Sequence, residues 1–512
     1  MIAVIIICVY LSLLLGLGIF SHRFLQSSSK DFFVASHSIG PILLLMSVFG
    51  TTMTAFAMVG STAEAYSAGI GVYGKMASWS GLVHSAVFFL VGIKMWGIGR
   101  KYGYVTQVQL FRDRFESNGI GFILFPILVA LVIPYLLVGL LGAGSVVKGV
   151  TLGVFPDFFT ATNGSIPHWL TAFVICAVVL TYVFVGGLRA AAWANTFQTI
   201  VFMIIGVIAF YLISTKLGGL EQATAMTKPE KLVRGEHIPQ LVFFSYMFIP
   251  LSVGMFPHLF QHWLTAKSAK TFRLTVIAHP IFIMIVWLPC ILIGIWASGA
   301  MIETAEGLRR VVPEGASANA VLGIMVQKLT SEPMAGLVTA GVLAAIMSSL
   351  DSQFMCLGTM FTNDVVMHHF GKNRFNDNQQ IWMARGFITL IVLITYLLSL
   401  AEPRSVFVLG VWCFSGFASL FPLAVAVVYW KRATKAAAYA TIIVTTLVWF
   451  LLFRDSGYGL EREYLVFGMM PVAVNFAAST ATMILVSLFT TPPSQETIDK
   501  FFPEKPTEVA SA

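Results

Sequence analysis

An all-α, polytopic membrane protein of about 13 transmembrane helices is the fold class this chain predicts, on three observations. Of 512 residues, 57% are hydrophobic and only 11% charged, against roughly 25% charged in ordinary soluble proteins. Apolar runs of the roughly 20 residues that a bilayer core requires recur from the first residues to about residue 490. Two of the runs, five apart, carry glycine, proline and hydroxyl residues at membrane depth, which is the pattern of interrupted helices paired in two repeats.

Span 1 (2–20) lacks the basic leader of a cleavable signal peptide and reads as a retained helix; His22 and Arg23 directly after it favour an outer N-terminus. Span 2 (39–62) contains Phe49-Gly50-Thr51-Thr52-Met53-Thr54 and then Gly60-Ser61-Thr62, so a break is expected in its middle. Spans 3 (78–98), 4 (120–147), 5 (168–187) and 6 (193–214) follow. Span 7 (239–263) contains Pro250, Gly254 and Pro257, then Gln261 and His262, and also reads as broken. Spans 8 (274–298), 9 (334–362), 10 (381–400), 11 (405–429), 12 (436–453) and 13 (466–490) complete one transmembrane domain, residues 1–490. Spans 2–6 (about 39–214) and 7–11 (about 239–429) form a 5+5 pair. An odd number of spans per repeat inverts the second copy. Residues 491–512 are polar and proline-containing, and are expected to be a short flexible cytoplasmic tail, too short to carry a signalling or catalytic domain.

Charge supports this layout. With the N-terminus outside, Arg23, Lys30, Arg100, Lys101, Arg112, Arg114, Arg189, Lys267, Lys270, Arg273, Lys372, Arg374, Lys431, Arg432 and Lys435 fall on the cytoplasmic side. The outer loops mix fewer cations with acids, as in Glu303, Glu306, Arg309, Arg310 and Glu314, so the positive-inside rule gives N-out, C-in. The net charge of +8 is scattered singly rather than gathered in a stripe, which argues against nucleic acid as a partner. Cys8, Cys176, Cys290, Cys356 and Cys413 all lie in apolar runs without a C-x-x-C pair and read as small buried hydrophobes.

Span 9 carries the chemistry. Its centre reads Ala344-Ala345-Ile346-Met347-Ser348-Ser349-Leu350-Asp351-Ser352, although an aspartate at a helix centre costs about 2.5–3.5 kcal/mol on insertion scales. Ala345, Ser348, Ser349 and Ser352 follow i, i+3, i+4, i+7 spacing and share a face, with Asp351 at its edge. Hydroxyls, a carboxylate and carbonyls freed near Gly50 to Met53 make an all-oxygen set. That set suits a dehydrated monovalent cation better than Mg²⁺, which keeps its waters.

The chain resembles the sodium/solute symporter family, on Asp31-Phe32-Phe33-Val34-Ala35, Thr106 to Phe115, Gly186-Gly187-Leu188-Arg189, Pro257 to Gln261 and Ala344 to Ser352, in that order. The resemblance covers nearly the whole chain. It implies a LeuT-type inverted-repeat fold with one extra N-terminal and two C-terminal helices, acting by alternating access in the cell membrane as a monomer. Na⁺ would be the coupling ion, with a small-molecule solute and no cofactor or catalytic residues. The sodium site implied is Gly50, Met53, Ala345, Ser348 and Ser349. Some relatives hold a second sodium on an aspartate in a Trp-Thr-Asp segment. Here that segment is Trp193-Ala194-Asn195, and Asp351 stands where those relatives have serine. A second site of Asn195, Ser348, Asp351 and Ser352 is therefore one expectation, and an Asp351 that merely bonds its neighbours is the other.

Family precedent points to Phe56, Ala57, Ser80, His84, Ile249 and Val253 for the solute. No placed cation announces an anionic solute, and no acid other than Asp351 announces a cationic one. Two rivals stay open: a proton-coupled permease of the same fold titrating Asp351, and a symporter-like membrane sensor. A membrane enzyme is disfavoured, since nucleophile, base and orienting group are not visible together.

Overall fold

The computed structural model describes residues 1–21, 33, 38–235, 238–304, 307–371, 374–401 and 405–503, with backbone alone at 17–21, 185, 186, 189, 190 and 304. Arg23, Lys30, Lys372 and most of the Asp31 to Ala35 segment lie outside the described residues. The described chain is a bundle of long helices. Nine are long and apolar enough to cross a membrane, and the count reaches 11 when each of two bent pairs is taken as one span. Ile2–Gly16 and His168–Phe184, at the expected positions of spans 1 and 5, are shorter apolar helices.

Both expected interruptions are present. Pro41–Thr52 and Phe56–Ala68 meet at 60°, and Gln240–Gly254 and Pro257–Leu264 at 51°. In span 2 the first helix stops where Met53 turns extended (φ −88°, ψ 98°). Thr54 then starts the second half, its hydroxyl accepting from the Phe56 N–H at 3.0 Å and its carbonyl from Ala57 at 3.0 Å. Span 7 tightens to a 3₁₀-helix over Tyr246–Gly254, with Pro250 inside it, and restarts at Pro257. Proline suits the first helical position because that N–H has no intrahelical acceptor. Spans 5 and 6 run together through His168–Lys216, kinked at Gly187 (φ 61°, ψ −165°), a conformation that glycine adopts without a Cβ penalty.

Span 9, Glu332–Phe370, is the axle of the bundle. Every residue from Val338 to Met360 is buried, and the helix packs on spans 1, 4, 6 and 10. Its serines therefore face protein, not lipid.

The structure adds elements that the apolar runs did not announce. A hairpin of Met301–Thr304 and Gly307–Arg310 departs from the all-α expectation. It forms beyond the end of span 8, in a polar stretch whose hydropathy carries no helix signal. A helix Gln107–Arg114 is capped by Thr106. Span 13 begins at Pro471 rather than 466, since a proline start fixes the boundary. The segment read as a flexible tail carries a helix, Gln495–Phe501, capped by Ser494. Phe501 is buried, 6.2 Å between ring centroids from Tyr102, and that anchor outweighs the polar composition around it.

Candidate ion-binding site

The last four carbonyls of a helix lack intrahelical partners, and the first half of span 2 ends at Thr52. Gly50 is thereby left with a carbonyl that must find a partner elsewhere. It finds Ser348, whose hydroxyl lies 2.7 Å from the Gly50 oxygen and 2.8 Å from the Ala345 oxygen. A hydroxyl has a single proton, so it cannot satisfy both carbonyls at once. The three oxygens converge at full burial, with the hydroxyl proton free to serve one carbonyl at a time. Of the remaining expected ligands, Met53 sits at the break itself, and Ser349 directly follows Ser348 on span 9, its oxygen accepting from Gln353 Nε2 at 2.6 Å.

Gly50 serves a second purpose. A Cβ at this position would lie 2.4 Å from Thr199 Oγ1 and 3.3 Å from the Asn195 oxygen, so only glycine lets spans 2 and 6 approach this closely. Thr199 in turn donates toward the Met46 and Asn195 carbonyls at 3.1 and 2.6 Å. The sequence did not single out Thr199, although its spacing four residues after Asn195 puts both on one face.

One turn further along span 9, Asp351 is fully buried. Its carboxylate accepts from the Tyr182 hydroxyl at 3.2 Å and the Ser352 hydroxyl at 3.1 Å. Oriented to satisfy both ends of its amide, Asn195 donates to the two Asp351 oxygens at 3.2 Å while its oxygen lies 3.0 Å from Ser352 Oγ, whose single proton serves either it or the carboxylate. The same amide nitrogen also faces the Ser348 and Ala191 carbonyls at 3.3 and 3.1 Å, more acceptors than its two protons can serve. Among the described side chains no lysine or arginine pairs with Asp351. Asn195, Ser348, Asp351 and Ser352 are thus brought together. His262 links them to span 2, with Nε2 3.0 Å from Ser352 and Nδ1 2.8 Å from Ser47. Tyr182 and His262 were not expected at the site, because only the fold brings spans 5 and 7 to span 9.

The candidates for solute contact separate. Phe56 and Ala57 are buried just beyond the break of span 2. Phe56 stacks on Phe407 with centroids 5.4 Å apart and meets Phe414 edge-on at 4.9 Å. Ile249 and Val253 are buried in the 3₁₀ segment that packs on span 11. Ser80 and His84 are buried on span 3; His84 Nδ1 lies 3.1 Å from His279 Nε2 on span 8, and Ser85 donates to the Val276 carbonyl at 2.8 Å. That face of span 3 therefore packs against span 8. The break of span 7 is tied to the helix after span 3, where Gln107 Nε2 donates to the Gly254 carbonyl at 3.0 Å.

Known proteins match this architecture along most of its length. The chain is 23% identical to sodium/proline symporter 2 of Staphylococcus saprophyticus, covering 96% of this chain and 93% of the relative. It is likewise 23% identical to the sodium/pantothenate symporter of Escherichia coli, covering 96% and 97%. The structure of a Na⁺-coupled sialic acid symporter in a substrate-bound outward-open state superposes with a TM-score of 0.76 at 17% identity, over 97% of this chain and 99% of that one. A nucleobase-cation-symport-1 family transporter in a closed conformation gives 0.56 at 14% identity, over 93% and 99%. The fold is that of these transporters, and a match to the family model runs from residue 32 to 445. The chain is a multi-pass membrane protein of the sodium:solute symporter family, a transporter rather than an enzyme, with Na⁺ as its coupling ion.

Proposed function

We propose that the protein imports a small organic solute together with sodium across the cell membrane, by alternating access. Thirteen spans are arranged N-out, C-in, with spans 2–6 and 7–11 as inverted repeats. The observation that carries the reading is the Ser348 hydroxyl held between the Gly50 and Ala345 carbonyls with one proton for two acceptors. A sodium ion replaces that proton-poor contact, taking Gly50, Met53, Ala345, Ser348 and Ser349 as ligands. It ties the broken helix of one repeat to span 9 of the other. The ion favours the state that binds solute, and the coupling is reciprocal. Each charge moving inward releases about 2.3 kcal/mol per 100 mV of membrane potential, which drives the solute.

A second sodium sits at Asn195, Ser348, Asp351 and Ser352. Support comes from a buried carboxylate whose neighbours are neutral donors, since a charge in the membrane interior pairs or lines a functional path. The same carboxylate supports the proton-coupled reading. Replacing sodium by choline at fixed pH in proteoliposomes separates them: sodium symport stops, whereas a proton permease continues. The named relatives act on proline and pantothenate, which supports a small organic solute as cargo.

A further inference from the structure

Where the second half of span 2 meets the start of span 3, on the expected outer side, a lysine is buried in the bundle. Lys75 donates to Glu64 Oε1 at 2.7 Å, and both side chains are almost fully enclosed. The other oxygen of Glu64 accepts from Arg462 at 2.6 Å, and Arg462 also donates to Ser67 at 3.0 Å. Two cations thus share one carboxylate, and the group carries one positive charge in excess.

The ammonium is only partly used. It has three N–H donors; Glu64 takes one, and the nitrogen otherwise lies 4.9 Å from the ring centroid of Phe407 and 5.8 Å from that of Tyr246. The Tyr246 hydroxyl is fully buried and has no hydrogen-bond partner among the described residues. Burying such a group unpaired is unfavourable, so spare donors of two kinds stand beside excess positive charge. From there aromatic rings lead inward: Phe407 stacks on Phe56, Phe56 meets Phe414 at 4.9 Å, and Phe414 meets Tyr135 at 4.8 Å.

We propose that this is the anion-recognising end of the solute site. The cargo is a small monocarboxylate whose carboxylate takes the Lys75 ammonium and the Tyr246 hydroxyl, with an apolar body lying along Phe407, Phe56 and Phe414. Arg462 holds Glu64 in place as the permanent partner of Lys75. Glu64 is already outweighed by two cations, so no net negative charge is left to hold the ammonium of an amino acid, and a zwitterion is disfavoured. The inference rests on the symport reading and narrows its substrate class.

The test is uptake into proteoliposomes under an inward sodium gradient, using radiolabelled butyrate, pyruvate and phenylacetate, their amides, the corresponding amines, and proline. Sodium-driven uptake of one or more carboxylates, with their amides and amines excluded, is the expected result. Tyr246→Phe removes only the hydroxyl and should raise the half-saturating carboxylate concentration about tenfold; Lys75→Gln should abolish uptake and Lys75→Arg restore part of it. If Lys75→Gln does not fold, Tyr246→Phe still decides, because a purely structural ion pair would leave its affinity unchanged. Unchanged affinity in Tyr246→Phe overturns the inference. Uptake confined to neutral, cationic or zwitterionic members also overturns it and leaves symport standing. So does a protein that is stabilised by sodium yet moves none of the carboxylates. A protein indifferent to sodium in both uptake and thermal stability counts against symport itself, and the inference falls with it.

Discussion

Ser348→Ala removes the hydroxyl that bridges the break of span 2 and the middle of span 9. In the wild-type chain that oxygen lies 2.7 Å from the Gly50 carbonyl and 2.8 Å from the Ala345 carbonyl, fully buried. A hydrogen-bonding group facing a charge contributes roughly 1.5–3 kcal/mol. Every 1.4 kcal/mol is about tenfold in affinity, so loss of this ligand should weaken sodium binding roughly 10- to 150-fold. Without sodium the variant should lose roughly 1–3 kcal/mol, since the buried Gly50 carbonyl is left unpaired, and that loss is common to both salts and cancels in their comparison. The assay needs no knowledge of the solute: thermal unfolding of the purified protein in sodium is compared with the same ionic strength of potassium. Stabilisation by a ligand follows RT ln(1 + [L]/Kd), so each tenfold rise in Kd removes up to about 1.4 kcal/mol of the sodium-specific increment. Thr446→Ala is the control, because that hydroxyl bonds only within its own helix, to the Ile442 carbonyl at 2.8 Å. A sodium-specific increment in Ser348→Ala equal to that of wild type and control would refute the ligand assignment.

Gly50→Ala should also raise the sodium requirement, because its Cβ would stand 2.4 Å from Thr199 Oγ1; adding Thr199→Ala should recover part of the loss, and no recovery would show that the contact is not the cause. Asp351→Asn should lower the number of sodium ions moved per solute from two to one while sodium-driven uptake persists, as measured by radiolabelled sodium flux against solute flux; an unchanged ratio sinks the second site. At the tail, Glu116 Oε1 accepts from the Ser494 N–H at 2.9 Å and from its hydroxyl. Partial desolvation raises the Glu116 carboxyl, yet hydrogen bonds from Ser494 and Thr497 and the nearby Arg114 hold it below its ordinary 4.5. A depressed folded-state value means that the contact is at full strength above the unfolded pKa and is lost as pH falls through the folded one. Protection of the Gln495–Phe501 amides from hydrogen exchange, taken relative to the intrinsic rate at each pH, should therefore fall on acidification below about pH 4.5, and Glu116→Gln should show the lower protection already at pH 7.

Legibility in the sequence followed the physics of each signal. Long apolar runs located the helices, and clustered Gly, Pro and Thr located both breaks, because these residues act on the backbone within a turn or two. Span 9 was readable as a candidate site, since serines and an aspartate at helical spacing in an apolar run share a face whatever surrounds them. Thr199 carried the same kind of local signal, on a helix with no such cluster to draw attention to it. Glu64 and Lys75 lie 11 positions apart across a turn, and nothing local announces that they meet, still less that Arg462, 398 residues from Glu64, joins them. Tyr182 and His262 are ordinary polar side chains in apolar runs until spans 5 and 7 are laid against span 9.

Sequence was enough to establish that the chain is helical and membrane-embedded, where its helices break, and which helix carries the cluster of serine hydroxyls and a carboxylate. Those properties are set by hydropathy and by local backbone preference. Packing alone decided which carbonyl meets Ser348, which neutral donors surround Asp351, and that a buried lysine stands beside a tyrosine hydroxyl unpaired among the described residues. Such pairings depend on how distant helices come together, and hydrogen bonds and charges act only over the few ångströms that this contact creates.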